Sequence, residues 1–144
     1  IKGVTSTIRE TYAKMSKGSN LVISERIMTT GKQTAKTVFD VNLNGEDSSV
    51  HVASRSVAED ESVQEFISNV KGNAKCFGHV ECDAIIMGKG RVISDPKIEA
   101  NNVDASLIHE AAIGKIAGEQ IEKLMTLGLS EKEAEEQIIS GFLK

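Results

Sequence analysis

Short segments in which apolar and polar residues alternate begin about every twelve residues through the first two-thirds of this chain. The alternation is plain in His79–Met87, where Val80 and Cys82 share one side of an extended strand and Glu81 and Asp83 share the other. Many short strands at such spacing are typical of a sandwich, a barrel or a solenoid of stacked coils. The predicted strands are Val4–Ala13, Leu21–Met28, Thr37–Leu43, Ser49–Val57, Val63–Val70, His79–Met87, Arg91–Ser94, Lys97–Ala100 and Ser106–Ile113.

The residue types of these segments bear on the choice between those folds. The chain has twelve Val, fifteen Ile and eight Thr against seven Leu, and only 3% of its residues are aromatic. A solenoid stacks equivalent positions on successive coils and suits ladders of Val and Ile, whereas a sandwich core more often uses large aromatic residues. Only Asn44-Gly45 looks like a tight hairpin signal. The pattern by itself does not decide between a solenoid and a sandwich or barrel.

The composition changes from strand-forming to helix-forming residues at Gly114–Gly118. We therefore expect a β domain over residues 1–114 and a helical segment over residues 115–144. The residue pattern of the helical segment predicts a hairpin of two short helices. Gly128 would end the first helix, and Ser130 with Glu133 would start the second with a capping box.

Composition excludes several classes of function. A chain of 144 residues with a net charge of −4 lacks the basic surface of a nucleic-acid-binding protein, and no apolar run is long enough to span a membrane. Two cysteines are too few for a disulfide scaffold, so a reducing cytoplasm is the default. The sequence has neither a phosphate-binding loop nor a nucleophile elbow, and we do not expect an enzyme. Because it starts at Ile1 without Met, we expect a piece of a longer protein.

Thiol and imidazole side chains concentrate in two places. Cys76, His79 and Cys82 form a Cys-x-x-His-x-x-Cys stretch, and His109-Glu110 lies in a later strand. Such residue types are ligands for Zn²⁺ or iron–sulfur chemistry. A regular strand, however, points residues 79 and 82 to opposite sides, and it does the same to His109 and Glu110. A zinc module therefore stays a weaker alternative, beside the plain interpretation of Cys82 as a small buried residue.

Several blocks, taken together and in order, resemble the SufB/SufD family of iron–sulfur cluster assembly scaffolds. The resemblance runs from about Ser54 to Lys144. The blocks are Ser54-Arg55-Ser56-Val57-Ala58, Gly78-His79-Val80-Glu81-Cys82-Asp83, Ile108-His109-Glu110-Ala111-Ala112-Ile113-Gly114-Lys115-Ile116, Glu119-Gln120-Ile121, Gly128-Leu129-Ser130-Glu131-Lys132-Glu133-Ala134 and Gly141-Phe142.

The resemblance implies a mainly β fold, a right-handed parallel β-helix followed by a C-terminal helical hairpin. It implies a non-enzymatic scaffold in a cytoplasmic complex with a SufC-type ABC ATPase, a second SufB/SufD-type subunit and a sulfur donor protein. Two alternatives stay open. The chain could be a structural partner subunit of that complex that binds no cluster, or a zinc-binding solenoid module.

The resemblance also implies residue roles. Cys82 matches the family cysteine that receives sulfur or holds the nascent cluster, and His109 and Glu110 match residues at the subunit interface where a transient iron–sulfur cluster assembles. No cluster is expected in the isolated fragment. The C-terminal helices would dock the ATPase, and the apolar candidates for that contact are Leu129, Ile138 and Phe142. Ala100 stands where family members carry a further cysteine.

Overall fold

The computed structural model describes residues 1–144 and is built almost entirely from extended chain up to Gly114. Eight strands are followed by two helices. The strands are β1 (Ser6–Met15), β2 (Asn20–Thr29), β3 (Thr34–Leu43), β4 (Ser48–Ala58), β5 (Val63–Gly72), β6 (Cys76–Ile86), β7 (Arg91–Ala100) and β8 (Ala105–Gly114); the helices are α1 (Gly118–Met125) and α2 (Glu131–Phe142).

The strands wind into a parallel β solenoid of about four turns. The odd strands form sheet A in the order β1-β3-β5-β7, and the even strands form sheet B in the order β2-β4-β6-β8. Every pairing is parallel, with residue 6 beside residue 34 in sheet A and residue 20 beside residue 49 in sheet B. Each coil therefore takes 28 or 29 residues, two strands and two corners. The solenoid predicted from the resemblance is confirmed.

The core lies between the two sheets and contains short ladders of Val and Ile on successive coils, Ile23-Val52-Val80 in sheet B and Val41-Val70-Ile98 in sheet A. Val52 and Val80 are neighbours on adjacent coils and almost wholly buried, and Phe39 packs against Phe66 with ring centroids 5.8 Å apart. Of the fifteen isoleucines, only Ile27 and Ile139 are buried. Alanine, phenylalanine and hydroxyl side chains fill much of the remaining space between the sheets. Several isoleucines lie instead on the outer pleated surface, which also favours β-branched residues.

Two local predictions were wrong for reasons of coil geometry. Asn44-Gly45 is a corner that carries the chain from sheet A to sheet B, and β3 and β4 do not pair as a hairpin. A Cβ on Gly45 would lie 2.0 Å from the backbone nitrogen of Lys17, so the corner needs glycine because it rests on the coil below. β7 also runs unbroken through Pro96. Proline is tolerated there because β7 is the last strand of sheet A and needs partners on one side only.

The helices form as the capping residues predicted. The Ser130 hydroxyl accepts from the Glu133 amide while the Glu133 carboxylate accepts from the Ser130 amide, and Gly128 has a φ of 95° after α1. α2 buries Ala134 and Ile139. The Arg55 Nη1 atom lies 3.5 Å from the Phe142 carbonyl oxygen and links the helical segment to β4. Neither helix has the length and apolarity needed to cross a membrane.

Candidate functional site

Cys82 lies on β6 with its side chain inside the solenoid, as the alternation predicted. It is 1% exposed. Burial raises the pKa of its thiol, the neighbouring Ser94 hydroxyl lowers it, and the charges of Asp83 and Glu25 raise it further. The net effect favours the neutral thiol at pH 7, and only the thiolate attacks sulfur or binds a metal.

His109 lies on β8, one coil beyond Cys82 and on the same inner face. The register places His109 beside Val80 and Ala111 beside Cys82, which puts the Cα atoms of Cys82 and His109 about 8 Å apart by ordinary strand spacing. The Nε2 atom of His109 is buried and has no hydrogen-bond partner. Burial, and secondarily the charge of His79, lowers the pKa of this imidazole. A neutral imidazole with a free nitrogen is what a metal ligand requires.

Glu110 lies on the other side of the same strand. Its side chain is 67% exposed, and its Oε2 atom is 3.4 Å from Nε2 of His79 on the outer face of sheet B. The structure thus brings Cys82 and His109 together and separates both from Glu110 by the thickness of the sheet. Strand alternation, noted already from the sequence, is the cause.

The zinc module built from Cys76, His79 and Cys82 is not formed. Cys76 is the first residue of β6, although the predicted strand began at His79, and it is buried like Cys82, whereas His79 faces outwards. The two sulfur-bearing residues are six positions apart on one strand, about 20 Å. No single ion can reach all three side chains.

A polar column runs inside the solenoid beneath Cys82. Glu25, Ser54 and Cys82 occupy equivalent positions on three successive coils of sheet B. The Glu25 carboxylate is buried, pairs with Arg9, and accepts hydrogen bonds from Thr37 at 3.0 Å and Ser54 at 2.8 Å. These bonds satisfy the buried carboxylate. On the side of the earlier coils, the Glu25 carboxylate and the Ser54 hydroxyl near the Cys82 thiol therefore have hydrogen-bond partners.

On the side of the last coil, two buried polar atoms near the Cys82 thiol have no regular hydrogen-bond partner. Ser94 of β7 lies near enough to the Cys82 sulfur to lower the pKa of the thiol, yet its buried Oγ makes no regular hydrogen bond. His109 Nε2 is the second unpaired atom there. Buried polar atoms without partners are rare in native proteins, and a bound water or ion is one way to satisfy them. The sequence did not reveal Ser94, because the predicted strand ended at that residue.

A second cluster was also missed from the sequence. His51, His79 and Glu81 have ligand atoms within 4.8 Å of one another on the outer face of sheet B. The available signal was the interval of 28 residues between His51 and His79, which equals one coil. It could be used only once the coil length was known.

The residues proposed for ATPase docking lie in the helical segment. Leu129, Ile138 and Phe142 are half-buried, while Leu127, between the helices, is 76% exposed. The hairpin therefore presents apolar surface to solvent at its turn and along part of α2.

Taken together, these features define a class of protein: a parallel β solenoid with a buried thiol on its next-to-last coil and, on the same inner face of its last coil, an imidazole with an unpaired nitrogen. The family model described as "SUF system FeS cluster assembly, SufBD core domain" matches residues 3–142. The chain belongs to this SufBD family.

Relatives agree with that assignment. The chain is 34% identical over 142 residues to an iron–sulfur cluster assembly SufBD family protein of Methanocaldococcus jannaschii, covering 98% of this chain and 44% of that protein. It is 31% identical over 135 residues to a SufBD family protein of Pyrococcus horikoshii, covering 93% of this chain and 41% of that one. It is 42% identical over 67 residues, 46% of this chain, to 14% of the iron–sulfur cluster assembly protein SufB of Bacillus subtilis. The chain thus spans less than half the length of these relatives.

Proposed function

We propose that this chain is a non-enzymatic scaffold on which an iron–sulfur cluster is assembled, with Cys82 as the thiolate that receives sulfur or holds the nascent cluster. The observation that carries the proposal is the placement of Cys82 and His109 on the inner face of the last two coils, where His109 Nε2 is buried and has no hydrogen-bond partner. Thiolate and imidazole are both ligands of iron in biological clusters.

The buried thiol must lose its proton before it can act. Its raised pKa keeps it neutral while the coil is closed, so access and deprotonation have to come from a change in its surroundings. Incoming iron would favour the thiolate, because a coordinated thiol is deprotonated outright. Glu110 faces outwards and would act from the other side of β8, at an interface with a second SufB/SufD-type subunit.

That interface has a structural basis in β8, the last strand of sheet B, which has a strand neighbour on one side only. An unpaired edge is a ready template for pairing with another chain. The second partner in the proposal is a SufC-type ABC ATPase bound by the helical segment through Leu129, Ile138 and Phe142. Nucleotide-driven motion of that ATPase would open the last coil to a sulfur donor protein in the cytoplasm.

Anaerobic reconstitution with iron and sulfide tests the assignment of Cys82 and His109. We expect the full-length protein, assembled with its partner subunits, to acquire a cluster absorption that Cys82→Ser and His109→Ala remove. Cys76→Ser is the matched control, since it removes a buried thiol on the same strand at a distance from His109, and it should retain the cluster. Full cluster content in Cys82→Ser and His109→Ala would overturn the proposal.

The alternative of a structural partner subunit draws support from the burial of Cys82, which suits a small core residue. It predicts a different result in the same experiment. The wild-type protein would join the complex yet contribute no ligand, so cluster content would depend on the other subunits alone.

A further inference from the structure

We propose that His51, His79 and Glu81 form a binding site for a divalent first-row transition metal on the outer face of sheet B. The site is separate from Cys82 and His109 and does not depend on the scaffold function. His51 and His79 occupy equivalent positions on β4 and β6, and Glu81 follows His79 by two residues on the same face. Three ligand side chains on two hydrogen-bonded strands are held by the rigid part of the fold.

The atoms converge at ligand spacing. The Oε1 atom of Glu81 lies 3.9 Å from Nε2 of His51 and 3.6 Å from Nδ1 of His79, and all three ligand atoms lie within 4.8 Å of one another. Ligands bound to one ion at about 2.0–2.2 Å are separated by about 3–4 Å. Only small side-chain adjustments are needed to close this set around an ion.

The other nitrogen of His79 has the partner that a metal-bound histidine ordinarily has. Nε2 of His79 is 3.4 Å from Oε2 of Glu110 on β8, so the imidazole can bind metal through Nδ1 and donate its Nε2–H to a carboxylate. Such a carboxylate orients the ring, fixes its tautomer and raises its basicity. This arrangement assigns Glu110 a second role, as the residue that positions His79.

The surroundings of His51, His79 and Glu81 favour a shared metal ion over three independently solvated side chains. The two imidazole rings meet edge to face with centroids 5.2 Å apart, and Phe77 also meets His79 edge to face, with centroids 6.5 Å apart. The side chains of His51, His79 and Glu81 are 40%, 21% and 30% exposed, so each is partly withdrawn from water. Two carboxylates, Glu81 and Glu110, would balance the charge of a divalent ion.

The donor set selects the class of ion. Two imidazoles and one carboxylate suit Fe²⁺ or Zn²⁺, whereas Mg²⁺ and Ca²⁺ prefer all-oxygen surroundings. Three protein ligands also leave positions for water or for a ligand from a partner, as in open metal sites. We therefore assign the site to the Fe²⁺-to-Zn²⁺ series and expect Co²⁺ to bind as a spectroscopic stand-in.

Cobalt titration of the full-length protein tests the site. All variants carry Cys82→Ser, so that the proposed cluster thiolate cannot contribute. We expect saturable Co²⁺ binding with nitrogen- and oxygen-type visible bands, which His51→Ala and His79→Ala abolish. Glu110→Gln should weaken the affinity by about 10–100-fold, the usual effect of losing an outer-shell partner.

The control is Glu65→Gln, which removes a carboxylate from the outer face of sheet A whose exposure, 36%, is close to the 30% of Glu81, and it should leave Co²⁺ binding unchanged. Circular dichroism of each variant checks that the solenoid is intact. Absence of saturable binding in the Cys82→Ser background, or binding that survives both histidine substitutions, would overturn the metal site. Neither result bears on cluster formation at Cys82, which the reconstitution experiment tests separately.

Discussion

At the scale of single residues, the inner and outer faces of two strands carry different chemistry. Cys82 and His109 are both held neutral by burial, which raises the pKa of the thiol and lowers the pKa of the imidazole. Glu81 directly precedes Cys82 and Glu110 directly follows His109, yet both glutamates face the outside. Successive side chains of a regular strand point to opposite faces of the sheet, so these neighbouring residues belong to two separate clusters, one inside the solenoid and one outside.

The lowered pKa of His109 predicts a pH-dependent stability. A base whose pKa is depressed on folding contributes stability above its ordinary pKa and loses it as the pH falls through the folded value. We expect the melting temperature to fall between pH 7 and pH 5, and to fall less in His109→Gln, which has no imidazole to protonate. Thermal unfolding of both proteins at the two pH values measures this.

His51 and His79 are present in both proteins, so the comparison isolates the effect of His109. Equal losses in the wild type and in His109→Gln would show that protonation of His109 costs the fold nothing. His51→Gln serves as the control for replacing an imidazole on the outer face.

Prediction from the sequence succeeded for residues whose surroundings are local. The inward direction of Cys82 and the opposition of His109 to Glu110 follow from alternation alone. The neighbours of each residue do not, because they come from the next coil, 28 or 29 residues away. Ser94 and His51 could not be assigned to sites without that register.

At the scale of elements, strands and helices were predicted well where their signals are local. The capping box at Ser130 and the left-handed Gly128 fixed the helical hairpin. The corner at Gly45 and the unbroken β7 at Pro96 were missed, because both depend on stacking. The Gly45 corner rests on Lys17 of the coil before, and Pro96 lies in a strand with one open side.

The helical hairpin carries the prediction that belongs to this scale. We expect Phe142→Asp to weaken binding of the ATPase subunit by more than about tenfold, the effect of losing an aromatic anchor worth about 2 kcal/mol. Co-purification of the ATPase and its titration against the full-length protein measure the loss. Circular dichroism checks that the strands are retained.

Val103→Asp is the matched control for this change. Val103 is fully exposed and apolar, but it lies in the corner between β7 and β8. It should bind the ATPase normally. If Phe142→Asp bound the ATPase as tightly as the wild type, the proposed docking role of Phe142 would be wrong. α2 would then serve only to cover the solenoid, where it already buries Ala134 and Ile139.

At the scale of the whole molecule, residues at equivalent positions on different coils have different surroundings, and the residues proposed to hold the cluster lie on the last two coils. Glu25 on an earlier coil is satisfied by Arg9, Thr37 and Ser54, whereas Ser94 and His109 on the last coil have unpaired polar atoms. Near Cys82 the unpaired polar atoms are therefore on the last coil, where partners would approach; the other inner-facing unpaired atom is Nε of Arg9, on the first coil. Scarcity of aromatic residues suits so narrow an interior.

The central claim is that Cys82 is closed in the resting solenoid and becomes accessible when the partners act. The direct test is the rate of thiol alkylation at Cys82, followed by peptide mass spectrometry in the full-length complex. We expect slow labelling without nucleotide, because the thiol is buried and neutral, and faster labelling when the ATPase binds ATP. Cys76 provides an internal comparison on the same strand and should change little. Equal labelling of Cys82 in both states would contradict the account.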